Sequence, residues 1–272
     1  MTGNVPRGPW RHFAIALAGV LLVAQAWGRE VPERIPIPEL SPSPARLAII
    51  IDDLGDHWHR GMRSVALPVP VTVSVLPFTP YGTELAQRAD ANGLEVMLHL
   101  PMQAKSDQHP GPGALMLDMD RKQVQGTLRR ALNDVPQASG VNNHMGSLLT
   151  RHPGHMLWVM EVLEDEGGLY FIDSRTSARS VAEAAAREQG LEHGRRHVFL
   201  DPQQDPEVIE EELARAVAMA REQGEAIAIG HPYPETLTIL ERELPRLQAQ
   251  GIEFVPASEL VRPARARSIT ER

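Results

Sequence analysis

The sequence predicts an α/β protein, a single domain folded as a distorted, irregular β/α barrel; an open doubly wound sheet is the alternative. From residue 46 onward, apolar runs of strand length alternate with helical patterns. The strand candidates are continuous apolar runs rather than polar–apolar alternations, as in parallel strands covered on both faces. About eight such strands fit into about 210 residues, which suits a barrel. No G-x-G-x-x-G or Walker A loop is present, so a nucleotide-binding version of the open sheet has no specific support.

The chain begins with a targeting pattern. Arg7, Arg11 and His12 form a positive region, FAIALAGVLLVAQA (13–26) is an apolar run, and Ala24-Gln25-Ala26 fits a signal-peptidase site. The run is short for a transmembrane helix, so residues 1–26 read as a cleaved signal peptide, with an uncleaved anchor as the alternative. Either way the remainder is exported, to the periplasm or the medium, with no stable membrane insertion after cleavage. With no Cys after the apolar run, a lipoprotein anchor is ruled out. Residues 27–45, rich in Pro and Glu, read as a linker.

The globular domain then runs over 46–262. Strands are predicted at 46–52, 70–76, 94–100, 140–145, 169–174, 197–200, 225–231 and 252–256. Helical patterns cover 81–92, 120–134, 153–166, 180–189, 205–223 and 234–249. Asp118 or Asp120 caps the second of these, and Gly93, Gly167, Gly190, Gly224 and Gly251 are stop signals. Residues 101–119 lack periodicity and read as a loop over the site. The tail 263–272 is basic and reads as disordered.

Composition narrows the function. The 272 residues carry a formal net charge of −8, which argues against a nucleic-acid partner. Aromatic residues make up only 4%, too few for an aromatic-rich platform. The absence of Cys excludes disulfides, thiolate nucleophiles and Cys-ligated zinc.

The polar residues fall at strand ends. Strand 46–52 ends in Asp52-Asp53, 94–100 in His99, 140–145 in Asn142-Asn143-His144, 169–174 in Asp173-Ser174-Arg175, and 225–231 in His231. Any one of these is ordinary, since a single strand-end His is commonly a hydrogen-bonded core residue. Five polar ends on the carboxyl rim, where β/α folds build their active sites, point to convergence in space. Asp with two His and no Cys suits a divalent cation, zinc first. Adjacent carboxylates then divide two tasks, one binding the ion and one acting as base toward a water. Asn142, Asn143 and Ser147 either donate hydrogen bonds to substrate or serve turns and caps. Arg175 either binds a carboxylate or neutralises Asp173.

As an ordered set, IIIDDLG, HLPM, GVNNHMGS, FIDSRT and AIGHP resemble the divergent polysaccharide deacetylase family, a branch of the polysaccharide deacetylase superfamily. The resemblance spans roughly 46–262. It implies a distorted β/α barrel and a metal-dependent hydrolase that removes N-acetyl groups from sugars, here envelope glycan or oligosaccharide. It implies Asp52 as base, Asp53 and His99 as metal ligands, Asp173 as an acid supporting a catalytic group, and His231 as the group that protonates the leaving amine. One departure stands out. The superfamily pattern places a second His four residues after the first, where this chain has Gln103. His144, ending the adjacent strand, is the candidate third ligand. The Arg-rich third motif is absent as well.

Other polar residues carry less. His57 and His59 read as solvent-facing on a first helix or loop, and His109, His152, His155, His193 and His197 share no strand-end placement. Ser174 lacks the G-x-S-x-G elbow of a serine esterase. Two further functions stay open: a catalytically silent glycan- or protein-binding member of the same fold, which Gln103 favours, and a metal-dependent phosphoesterase or peptidase.

Overall fold

The computed structural model describes residues 44–262. The targeting segment 1–26, nearly all of the 27–45 linker and the 263–272 tail lie outside the described residues. The order is β1 (Ala45–Leu54), α1 (Trp58–Val65), β2 (Thr72–Val75), α2 (Gly82–Ala91), β3 (Glu95–Met102), α3 (Arg121–Asp134), β4 (Ala138–Met145), α4 (Pro153–Glu166), β5 (Tyr170–Asp173), α5 (Ala182–Gln189), β6 (His193–Arg195), β7 (Val198–Phe199), α6 (Pro206–Gln223), β8 (Glu225–Gly230), α7 (Pro234–Ala249) and β9 (Ile252–Phe254).

All named strand pairs are parallel, in the spatial order β6-β5-β4-β3-β2-β1-β8-β7, with β9 pairing the start of β1. The two ends of that order, β6 and β7, are neighbours in the chain. Arg196 N–H still bonds to the Asp173 carbonyl on β5 (2.9 Å), whereas His197 N–H bonds to the Ile227 carbonyl on β8 (2.9 Å). One segment therefore leaves one sheet edge and joins the other. This is the distortion in a distorted β/α barrel.

The elements follow the sequence pattern closely. The exceptions are α1 and β6, which carry little apolar signal: α1 buries only Gly61, Ser64 and Val65, and β6 is His-Gly-Arg. β6 forms because β5 offers it an open edge. Asp120, not Asp118, caps α3, with a reciprocal bond pair to Gln123; such caps contribute about 0.5–2 kcal/mol. Gly190 and Gly224 end α5 and α6 at φ 81° and 86°, a conformation that favours glycine.

Strand parity sorts the core into two layers. Leu47, Ile49 and Ile51 face the helices, and Ala48 and Ile50 face the barrel interior. The interior layer adds Met97, Tyr170, Ile172, Ile227 and Ile229 and is closed by Val255, Ala257 and Leu260 of the C-terminal segment. Continued by two residues toward the carboxyl ends, the same interior rows reach Asp52, His99 and His231. The barrel is thus greased at one end and polar at the other.

Candidate metal centre and flanking clefts

Parity alone would send Asp53 toward the helices, opposite to Asp52. The register of β1 with β2 shifts between Ile51 and Leu54, and Asp53 adopts φ 57°. This left-handed kink, which Asp tolerates better than most residues, turns the second carboxylate back over the rim. Both acids then serve one site.

Three donor atoms converge there. Asp53 Oδ1 lies 2.8 Å from His144 Nδ1 and 3.1 Å from His99 Nε2, and the two ring nitrogens are 3.1 Å apart. Asp53 Oδ1 is buried without a hydrogen-bond donor of good geometry among the described residues. Three lone-pair atoms facing one point is an arrangement that a cation relieves. Tetrahedral zinc with bonds of about 2.0–2.1 Å has donor–donor edges of about 3.3 Å, close to these separations. The donor set therefore fits a divalent ion.

The tautomer of His99 follows from its partners. Asp52 Oδ1 accepts from Asn142 Nδ2 (2.8 Å), so the Asn142 carbonyl oxygen faces the other way. That oxygen accepts from the Ser74 hydroxyl (2.7 Å) and from His99 Nδ1 (2.7 Å). With Nδ1 donating, Nε2 keeps its lone pair for the centre. Ser74, His99 and Asn142 are all buried, with Asn142 at 0% exposure, so this support is rigid and dry.

His144 arrives from β4, whose register sets it beside Pro101 of β3. Gln103, at the position where the resemblance led one to look for a ligand, is engaged elsewhere. Its Oε1 accepts from Leu117 N–H (2.8 Å), its N–H bonds to the Leu115 carbonyl (2.9 Å), and its carbonyl accepts from Leu148 and Leu149. It fastens the 101–119 loop.

His231 stands opposite, its Nε2 3.8 Å from Asp53 Oδ2. Its Nδ1 meets Asp201 Oδ1 at 2.9 Å, and Asp201 Oδ2 accepts from His231 N–H (2.7 Å) and the Thr236 hydroxyl (2.8 Å). Burial pushes the His231 pKa down, but the Asp201 hydrogen bond and the Asp53, Asp201 and Asp52 charges outweigh it, raising it to about 9. Burial likewise opposes charge on Asp53, yet the imidazoles of His144 and His99 against it hold its carboxyl well below the ordinary range.

The carboxylate behind His231 is thus Asp201 and not Asp173. Asp173 is fully buried, accepts Arg175 N–H (2.8 Å) through Oδ1, and stands 3.8 Å from Arg175 Nη1 through Oδ2. Asp201 follows the strand candidate 197–200 directly, so the strand-end rule that picked the other residues points to it too. Asn142 is closed to substrate by its burial and its three bonds. Asn143 braces the next strand, accepting Ser174 N–H (3.0 Å) and donating to the Met145 carbonyl (2.8 Å). Ser147 accepts Lys105 N–H (3.0 Å), a loop contact.

Two clefts meet at the centre, and His144 and His231 line both. One, of about 340 Å³, runs between Asp53, Arg60, the 109–112 loop and Tyr233. The other, of about 410 Å³, runs past Asp52, Arg175, Arg196 and Phe199. His57 lines the first, at its rim.

Comparison with known proteins agrees with this architecture. A family model described as divergent polysaccharide deacetylase matches residues 49–261. The uncharacterized protein YibQ of Escherichia coli is 39% identical over 216 residues, covering 79% of this chain and 67% of that one. The crystal structure of the uncharacterized protein ATU2773 of Agrobacterium tumefaciens superposes with a TM-score of 0.77 at 24% identity, covering 81% of this chain and 91% of that one. The catalytic domain of a peptidoglycan N-acetylglucosamine deacetylase from Eubacterium rectale gives a TM-score of 0.50 at 16% identity, over 85% and 96% of the two chains; the two structural likenesses speak to fold alone. With the match running from the first strand past the last, the chain belongs to the divergent polysaccharide deacetylase family.

Proposed function

We propose that the protein is an exported metal-dependent hydrolase that removes N-acetyl groups from envelope glycan. The observation that carries this reading is the convergence of Asp53 Oδ1, His99 Nε2 and His144 Nδ1 at the junction of two clefts. These residues would hold the ion, with zinc the best match to two imidazoles and a carboxylate. Bound there, a divalent cation supplies Lewis-acid chemistry, lowering the pKa of a water and polarising an amide carbonyl.

The chain's own groups divide the proton work. Asp52, fixed through Oδ1 by Asn142 and lining the larger cleft, takes a proton from water as general base. His231, kept protonated at neutral pH by Asp201, gives a proton to the departing amine. Asn142 orients His99 and Asp52 rather than touching sugar, and Asp173 shapes the turn that carries Arg175. The two clefts give room for sugar units on either side of the reacting acetamide. Export rests on the N-terminal targeting pattern; among the described residues no helix is long and apolar enough to cross a membrane.

The silent-binder reading loses its main support once Gln103 is a loop fastener and His144 supplies the third donor. Acetate release from N-acetylated chitooligosaccharides or peptidoglycan by zinc-loaded protein, lost in Asp52→Asn, tests the proposal. Metal retention without acetate release from either glycan would return the silent reading.

A further inference from the structure

The barrel is open along one seam, and a third cleft lies on it. Among the named strands β6 pairs only with β5 and β7 only with β8, so no ladder joins the two ends of the sheet. An outer cleft of about 360 Å³ sits at this seam, lined by Arg175, Arg195, Arg196 and His197, with Met219 and Gln223 of α6 as its other wall. It shares Arg175 and Arg196, and no other lining residue, with the larger cleft at the proposed metal centre. These two side chains are therefore the partition between the centre and the outer cleft. They are held unequally. Arg196 is fixed: its Nε donates to the Ser174 carbonyl (2.6 Å), its Nη2 to the Arg175 carbonyl (3.1 Å), and its guanidinium lies 4.8 Å over the Phe199 ring. The Arg175 side chain is held by less, a 3.4 Å bond to the Ala178 carbonyl and Asp173 at 3.8 Å. Beside the partition the Ser174 hydroxyl lines the larger cleft, buried at 4% exposure and without a partner.

Charge is sorted along this line rather than in excess. Asp52, Asp173 and Glu183 match Arg175, Arg195 and Arg196 in number, but no acid lines the outer cleft. Asp52 stands at the inner end, Asp173 is fully buried beside Arg175, and Glu183 meets Arg195 at 3.7 Å. A small anion formed at the centre thus has a carboxylate behind it and guanidiniums ahead. Hydrolysis of an acetamide supplies such an anion: the C–N bond breaks, the water oxygen joins the acyl carbon, and acetate and an ammonium on the sugar result. A glycan lying across both clefts at the centre would cover the acetate formed beneath it. We propose that the seam is a rear port through which the small carboxylate product leaves while the glycan stays bound. Arg175 is the movable side of the partition, and Ser174 and Arg196 offer hydrogen bonds to the passing carboxylate. The inference rests on the deacetylase reading for the source of the acetate; the affinity of the seam for a small carboxylate is a separate claim, measured without turnover.

Two measurements test the port. The first follows the Met219 methyl by NMR in the zinc-loaded protein as acetate replaces chloride at constant ionic strength. Acetate should shift the methyl saturably, and Arg195→Gln should lose most of that shift. The second compares acetate release from N-acetylated chitooligosaccharide by the zinc-loaded protein and by Gln223→Trp, which places a bulky ring in the outer cleft from the exposed end of α6. Acid-quenched single-turnover acetate formation should stay native, whereas steady-state turnover should fall several-fold as release becomes limiting. A merely destabilised variant would lose both together. A Met219 methyl that ignores acetate, a shift that survives Arg195→Gln, or native turnover in Gln223→Trp would each overturn the port. Acetate binding in the seam with no acetate released by the native protein would instead keep the seam as a small-carboxylate site and sink the deacetylase reading.

Discussion

Asp201→Asn removes one charge from behind His231 and leaves the shape intact. In the native protein Asp201 Oδ2 accepts from His231 N–H and from Thr236, while Oδ1 faces His231 Nδ1 at 2.9 Å. An Asn carbonyl can keep the first two bonds only by placing its NH₂ against Nδ1. Two donors cannot face each other, so the imidazole surrenders its Nδ1 proton and stays neutral with the proton on Nε2. The size of the effect follows from the titration. A His231 pKa near 9, against an ordinary value near 6.5, favours the imidazolium by roughly 3 kcal/mol at about 1.4 kcal/mol per unit. Removing the partner that supplies the leading favourable contribution should bring the pKa to 6.5 or below. The sign for stability follows. A raised folded pKa stabilises fully below the unfolded value and loses that contribution as pH climbs from about 6.5 through 9. The native protein should therefore lose its advantage over Asp201→Asn across that window. Imidazole NMR titration of the metal-free protein reads the pKa, and urea unfolding at several pH values reads the linkage. His231 still titrating near 9 in the variant would refute the reasoning. Catalytically, acetate release at neutral pH should fall by about two to four orders of magnitude, as expected when a general acid is left as neutral imidazole, a far weaker acid than the imidazolium.

Other perturbations probe the remaining supports. Asp53→Asn should keep the fold, because Asn accepts the φ of 57°, but abolish tight metal binding by inductively coupled plasma analysis. The same change should flatten the acid limb of stability: a lowered carboxyl pKa stabilises above its ordinary value near 3.8 and loses that contribution as pH falls through the folded pKa. Asn142→Ala leaves Asp52, Ser74 and His99 short of a buried partner and should cost about 2–4 kcal/mol in chemical denaturation, with metal affinity falling in step. Gln103→His should not improve metal affinity, since its side chain points to Leu117, and should cost about 1 kcal/mol through the lost loop bond; tighter zinc in that variant would contradict the placement of Gln103.

Much of this was legible because the polar residues obey strand parity. Asp52, His99 and His231 extend interior rows that are apolar below them, so an apolar run that ends in an acid or a His reads directly as a rim position. His144 was legible by the same logic, as the end of the strand beside β3. What parity hides is a change of parity. Asp53 reaches the site only through a kink that depends on pairing with β2, and no local pattern announces it. Asn142 and Asn143 carry the same side chain at adjacent positions, and only the opposite directions of their side chains make one an orienter of His99 and the other a brace for β5. Asp201 obeys the same strand-end rule, since it directly follows the strand candidate 197–200, although the strand itself pairs over only two residues. Arg196 sits where the chain changes sheet edges, a feature of topology with no sequence signature.

The central claim is that Asp53, His99 and His144 together hold one divalent ion. The measurement that tests it most directly is the metal content of the purified protein, prepared without chelator, beside His99→Ala and His144→Ala. The account predicts about one zinc or similar ion per chain, lost in both variants while their circular dichroism stays native. No bound metal in the native protein, even after reconstitution with zinc, cobalt, nickel and manganese, would contradict it, and the strand-end cluster would then be a hydrogen-bonded rim for binding alone.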